Sequence, residues 1–205
     1  MLLSRAQRAR PGSSVTLFSV AAPASEGVVL HVLFVCTGNI CRSPTAERLA
    51  LARADRLGVI GLRASSAGTR AVIGSRMHVE AANVLEQLGG DASDFAARQL
   101  TRRLVAEADL VLTMTREHRS SVLELAPRSL HRTFTLNEAA LLASIPELCG
   151  IADLAAFRSR ASPNRVLDVP DPIGRGPDVF VEAGAQIAAA IQPVIEFLAR
   201  STRGA

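Results

Sequence analysis

One short run limits what this chain can fold into. Val35-Cys36-Thr37-Gly38-Asn39-Ile40-Cys41-Arg42-Ser43-Pro44 sets a cysteine at the end of an apolar segment and an arginine six residues later. The preceding residues, Leu30 to Val35, are mostly apolar, β-branched or aromatic, and such a run reads as a buried strand of a parallel sheet. Pro44 suits the first turn of a helix, where its missing N–H costs nothing. Ser43 reads as the N-cap. Beyond it Ala46, Leu49, Ala50 and Ala54 recur at helical spacing. The local order is strand, tight loop, helix.

A loop of this kind directs several backbone N–H groups into one concavity, and the helix dipole adds partial positive charge there. Gly38 is expected to supply backbone freedom where a side chain would crowd the turn. Arg42 offers a planar fork able to hold two oxygens of a phosphate. All of these favour an anion, and the first anion they favour is a thiolate at Cys36. The thiolate, not the thiol, is the nucleophile.

The run resembles the signature Cys-x-Gly-Asn-x-Cys-Arg-Ser of the low-molecular-weight protein tyrosine phosphatase family. Ser65-Ser66-Ala67-Gly68-Thr69, Ala97-Arg98-Gln99-Leu100, Ala108 to Thr115 with Met114 near the end of a strand, and Val169-Pro170-Asp171-Pro172 resemble further family segments in the same order. The resemblance runs from about residue 28 to residue 200. It implies that Cys36 is the nucleophile, that Arg42 binds phosphate and stabilises the transition state, and that Asp171 protonates the leaving oxygen. Ser43 would steady the thiolate and Asn39 would hold the loop in shape. Thr37, Gly38, Ile40 and Cys41 would complete the phosphate-binding loop. Cys41 matches a second cysteine that can form a reversible disulfide with the nucleophile. Two positions depart from the family pattern. Ile173-Gly174 follows the Asp-Pro pair, where relatives carry an aromatic residue, and Phe95 stands where many carry a histidine.

Alternation of β and α segments implies an α/β fold. The expected elements are strands at 29–35, 60–66, 109–114 and 131–135 and helices at 44–56, 78–88, 101–106, 116–125, 137–143, 150–158 and 178–199. They predict a three-layer α/β/α arrangement around a four-stranded parallel sheet, with the phosphatase loop at the C-terminal end of strand 1. Ligands of such sheets bind beyond the carboxyl ends of the strands, where Cys36 lies. Pro193 predicts a kink in the last helix, and Asp178 is expected to cap it.

Composition narrows the rest. Residues 28–205 read as one domain, and residues 1–27, rich in Ser, Pro, Gly, Ala and Arg, as a disordered N-terminal extension. No run of eighteen apolar residues stands out, so no membrane span is expected. With two of the three cysteines inside the motif there is no disulfide framework, and a reducing cytoplasm fits best. The net charge is +4, yet every one of the 23 basic residues is arginine, scattered among acids, and Trp and Tyr are absent. That pattern lacks the stacking surface of a nucleic-acid binder. Arg102-Arg103 and Arg158-Ser159-Arg160 read as solvated surface. Cys149 reads as a buried packing cysteine, Asp168 as a turn residue or fallback acid, and the turn Met114 to Arg119 as a solvated helix cap. His31, His78, His118 and His131 show no metal-ligand spacing and take no role.

The expected activity is hydrolysis of a phosphotyrosine protein or small aryl phosphate through a phosphocysteine, without metal or cofactor, because Arg42 and the loop amides supply the positive charge. Two other readings stand beside it: a thiol-dependent arsenate reductase, and a non-catalytic phosphoprotein-binding regulator. No sequence feature sets an oligomeric state.

Overall fold

The protein is described by a computed structural model covering residues 30–161 and 168–203. The expected extension over 1–27 lies outside the described residues. Four strands form one fully parallel sheet: β1 (Leu30–Cys36), β2 (Leu62–Gly68), β3 (Leu110–Thr113) and β4 (Thr133–Thr135), in the order β2-β1-β3-β4. β1 is central and pairs Cys36 with Gly68 on one side and Val35 with Thr113 on the other. The C-terminal ends of three strands therefore meet at Cys36.

The two-residue period of a strand assigns the two faces. Val32 and Phe34 point into a core shared with Leu110, Leu112 and Phe134, while Leu33 and Val35 point into a smaller one with Val105, Val111 and Val122. The larger core is covered by α1 (Arg42–Arg56), α2 (Val79–Gln87), α5 (Leu136–Ala143), α6 (Ile151–Ala156) and α7 (Pro177–Arg203). The smaller is covered by α3 (Arg102–Ala106) and α4 (Arg116–Leu125). This is the three-layer α/β/α arrangement. Phe34, Phe134 and Phe197 are fully buried, and truncating such a residue to alanine costs about 3–5 kcal/mol.

Several expectations need correction. α1 begins at Arg42, with Cys41 at the N-cap and no side-chain cap hydrogen bond. Ser43 is therefore not the cap, because its hydroxyl is used elsewhere. α7 is long and apolar enough, by length and composition, to cross a bilayer, which the absence of an unbroken apolar run had hidden. In the fold it is a core helix: its own Ile187, Ile191, Val194, Ile195, Phe197 and Leu198 are buried in the larger core. It runs on through Pro193, and Asp178 sits inside its first turn rather than ahead of it, where a carboxylate complements the dipole. Cys149 is exposed, its N–H donating to Asp153 at 2.8 Å in the turn before α6. Arg158 is not solvated surface. Its guanidinium lies 4.0 Å from the Phe134 ring centroid and donates to the Thr133 carbonyl at 2.7 Å, anchoring the end of β4.

Candidate active site

The loop between β1 and α1 is held from outside. The carbonyls of Cys36, Thr37, Gly38 and Ile40 accept from the N–H groups of Thr69, Arg70, Val72 and His78 at 2.8–3.0 Å. In a planar trans peptide the C=O and N–H point opposite ways. Tying the carbonyls outward turns the loop amides toward the concavity above Cys36. The left-handed residue of the loop is Asn39, with φ 55°, a conformation asparagine tolerates better than most residues. Gly38 is not in that region, and a Cβ there would meet nothing nearer than the Ile40 side chain at 3.5 Å. The glycine this loop requires is Gly68, where a Cβ would stand 2.4 Å from the Thr37 carbonyl oxygen. β2 can approach the loop that closely only without a side chain.

Beneath the loop runs a chain of hydrogen bonds. The Asn39 carbonyl oxygen accepts the Arg98 backbone N–H at 2.8 Å, which orients the amide. Its Nδ2 then donates to Ser43 Oγ at 3.0 Å and to Ser66 Oγ at 2.8 Å. Ser43 Oγ lies 3.0 Å from Cys36 Sγ and 3.5 Å from the Ala67 carbonyl oxygen, to which it can also donate. Ser66 in turn donates to Glu47 Oε2 at 2.5 Å. Burial pushes the Glu47 carboxyl above its ordinary range, against the opposing pull of Ser66 and of Arg48 and Arg98. The far end of the network is thus Glu47. Phe95 takes no part in it and instead lies beside the Arg48 guanidinium at the edge of the core. Cys41 is 5% exposed, and burial, followed by the neighbouring Cys36, pushes its thiol up to about 12. It stays protonated at any physiological pH.

Arg42 is 5% exposed and reaches across to the segment before α7. One nitrogen donates to the Val169 carbonyl at 3.2 Å and the other pairs with the Asp171 carboxylate. Asp171 is half exposed, and its second oxygen accepts the Ile173 N–H at 3.2 Å. Asp168 instead accepts the Arg116 N–H at 3.0 Å and pairs with its guanidinium. Asp171 is therefore the carboxylate at the mouth, and Asp168 fixes the neighbouring turn.

Cys36, Thr37, Gly38, Ile40, Cys41, Arg42 and Asp171 line one cleft of about 290 Å³, with Arg70, Val72 and Ile173 at its rim. Asn39 and Ser43 lie fully buried underneath. Every expected site residue is brought together here, and Cys149 is not among the lining groups. His118, given no role from sequence, is buried against Thr37, with Nε2 2.8 Å from Thr37 Oγ1 and Nδ1 2.9 Å from Thr115 Oγ1. Burial, then the charge of Arg42, lowers it to about 4. The usable signal was its place one turn into the helix that follows β3. His31 and His78 serve the fold, at the far end of β1 and at the N-cap of α2.

The family described as low molecular weight phosphotyrosine protein phosphatase matches residues 31–153. The chain is 40% identical over 96 residues to the low molecular weight protein-tyrosine-phosphatase Wzb of Salmonella typhi, a stretch covering 47% of this chain and 61% of that protein. It is 37% identical over 108 residues to a protein-arginine-phosphatase of Geobacillus stearothermophilus, covering 53% and 70%. A solved low molecular weight protein tyrosine phosphatase from T. tengcongensis superposes with a TM-score of 0.65 at 33% identity, over 82% of this chain and 98% of that one. The alignment to the Wzb relative thus spans about three fifths of its length.

Proposed function

The chain belongs to the low molecular weight phosphotyrosine protein phosphatase family, and from that premise we propose that it hydrolyses phosphomonoesters, of phosphotyrosine proteins first, through a phosphocysteine on Cys36. The observation that carries the reading is the convergence of Cys36, Arg42 and Asp171 on one cleft from three separate parts of the fold.

In this mechanism Arg42 and the loop amides hold the three non-bridging oxygens. The Cys36 thiolate attacks phosphorus in line, forming the S–P bond as the P–O bond to the tyrosyl oxygen breaks. Asp171 gives that oxygen its proton. Asp171, now a carboxylate, takes a proton from water, whose oxygen attacks phosphorus. The S–P bond breaks, and inorganic phosphate and the thiolate are released. Ser43 supports the reading because its hydroxyl stands 3.0 Å from the sulfur, where it can donate to the thiolate present before the first step and after the second. Donors set in place before charge develops usually contribute the largest single effect in such reactions.

The likeness to a protein-arginine-phosphatase raises phosphoarginine as a second substrate. Apolar Ile40, Val72 and Ile173 suit either an aryl ring or an aliphatic stem. Arg70 lines the same cleft, and a cationic guanidino group is disfavoured beside it, so phosphotyrosine is placed first. A reducing compartment such as the cytoplasm belongs to the proposal, since Cys36 must remain a thiol.

The test is hydrolysis of p-nitrophenyl phosphate, a phosphotyrosine peptide and a phosphoarginine peptide, with reductant and EDTA. Wild type should turn over the first two, Cys36→Ser should be inactive, and Asp171→Ala should lose about 10²–10⁴-fold in kcat. A folded but inactive wild type overturns the reading and sends the question to arsenate reduction with added thiols.

A further inference from the structure

Thr37 is the residue directly after the nucleophile, and its side chain has a single hydrogen-bond partner among the described residues, His118. The imidazole is 5% exposed and lies between two hydroxyls, Thr37 on the loop and Thr115 at the N-cap of α4. It thereby links a wall of the cleft to an element 81 residues farther along the chain. Four charged groups act on it: Arg42 from α1, Arg70 from the segment after β2, and Asp168 and Asp171 from the loop before α7. The mechanism above uses neither Thr37 Oγ1 nor His118.

We propose that His118 is a positioning residue that holds the Thr37 hydroxyl as a hydrogen-bond donor to a phosphoryl oxygen of the bound substrate. The claim rests on the phosphatase reading. This role requires one tautomer of the imidazole. Thr115 Oγ1 already accepts the His118 backbone N–H at 3.2 Å, as the cap of α4. In that tautomer it gives its own proton to Nδ1, 2.9 Å away. Nε2 then carries the imidazole proton and donates it to Thr37 Oγ1. That leaves the Thr37 proton unassigned, on a side chain that lines the same cleft as Cys36, Arg42 and Asp171. A phosphoryl oxygen only accepts, so an occupied cleft selects this tautomer. Burial of the imidazole and the charge of Arg42 keep it neutral through the pH range in which a phosphatase assay is run. The pair would serve as a fixed neutral donor beside the charged Arg42.

The experiment measures phosphate affinity by calorimetry, together with kcat and KM for p-nitrophenyl phosphate, in wild type, Thr37→Val, Thr37→Ser, His118→Leu and the Thr37→Val/His118→Leu double variant. A hydrogen bond to a charged group predicts a loss of about tenfold in phosphate affinity and in kcat/KM for Thr37→Val. Thr37→Ser should stay near wild type. His118→Leu should match Thr37→Val, and the double variant should lose no more than either single. Additive losses, or a Thr37→Val protein that binds phosphate as wild type does, overturn the assignment. Thr37→Val is nearly isosteric and decides the point even if His118→Leu does not fold. A wild type that binds phosphate without turnover would sink the phosphatase reading while leaving the Thr37 comparison intact, because affinity is read separately from catalysis.

Discussion

Ser43 Oγ sits 3.0 Å from Cys36 Sγ, and the Asn39 amide donates to that same oxygen at 3.0 Å. The amide nitrogen can only donate, so the serine accepts from it; a thiolate also only accepts, so it draws the serine's hydrogen, with the Ala67 carbonyl at 3.5 Å the longer, competing acceptor. Stabilisation of a thiolate thus depends on a residue that never touches the sulfur. Ser43→Ala removes the donor and is expected to slow turnover about ten- to hundredfold, the range for a hydrogen bond to a charged group. Asn39→Ala should do the same and also slow iodoacetamide alkylation of Cys36 at pH 6. An alkylation rate equal to wild type in both variants would show that the network does not act on the sulfur.

Glu47 closes the same network from the other side, and its effect on stability has a definite sign. Its carboxyl is held above the ordinary 4.5 in the folded state, chiefly by burial. As pH rises past 4.5 the unfolded chain loses this proton first, so the folded state is the one retaining it. Stability from this group therefore falls as pH rises through the window between the two values. Glu47→Gln keeps an acceptor for Ser66 and removes the titration. Relative to wild type it should gain in Tm from pH 4 to pH 8, as read by thermal denaturation. A gain in the opposite direction would mean that the ionised carboxylate is worth more to Ser66, Arg48 and Arg98 than burial costs it.

His118 has the opposite pH behaviour. Its folded value is lowered from 6.5 to about 4, so between these the unfolded chain binds the extra proton. The stability present above pH 6.5 is lost as pH falls toward 4. His118→Gln should flatten that loss. Denaturant midpoints at pH 5 and pH 7 measure it, and an unchanged difference between the two pH values in the variant would refute it.

Cys36 and Cys41 are both free and buried, and burial pushes the Cys41 thiol up to about 12. A thiol so strongly protonated is a poor first target for peroxide, because oxidation follows thiolate character. Oxidation is expected at Cys36, with Cys41 then closing a disulfide that thiol reductants reverse. Mass spectrometry after mild peroxide should show that bridge in wild type. Cys41→Ser should instead lose activity irreversibly. Equal recovery of the two proteins on reduction would exclude Cys41 as the protecting thiol.

What was legible in the sequence was local and contiguous. A strand end, a tight turn and a helix start lie within ten residues, so backbone preference and apolar pattern alone put Cys36 and Arg42 in one pocket. The same period-two and helical patterns placed the four strands and the helices to within a few residues. Asp171 was reached through family order, since its contact with Arg42 spans 129 residues and has no local signature.

Tertiary packing decided the rest. Ser43 is not a cap because Cys36 and Asn39 claim its hydroxyl. Asn39, not Gly38, takes the left-handed turn, and the close approach of β2 makes Gly68 the indispensable glycine. Arg158 lies on a phenylalanine instead of in water, Cys149 faces solvent instead of the core, and His118 meets Thr37 from 81 residues farther along the chain. Pattern and propensity report which residues prefer burial or a turn. Which two distant side chains then share a hydrogen bond depends on how helices settle on the sheet, and no single stretch of chain encodes that.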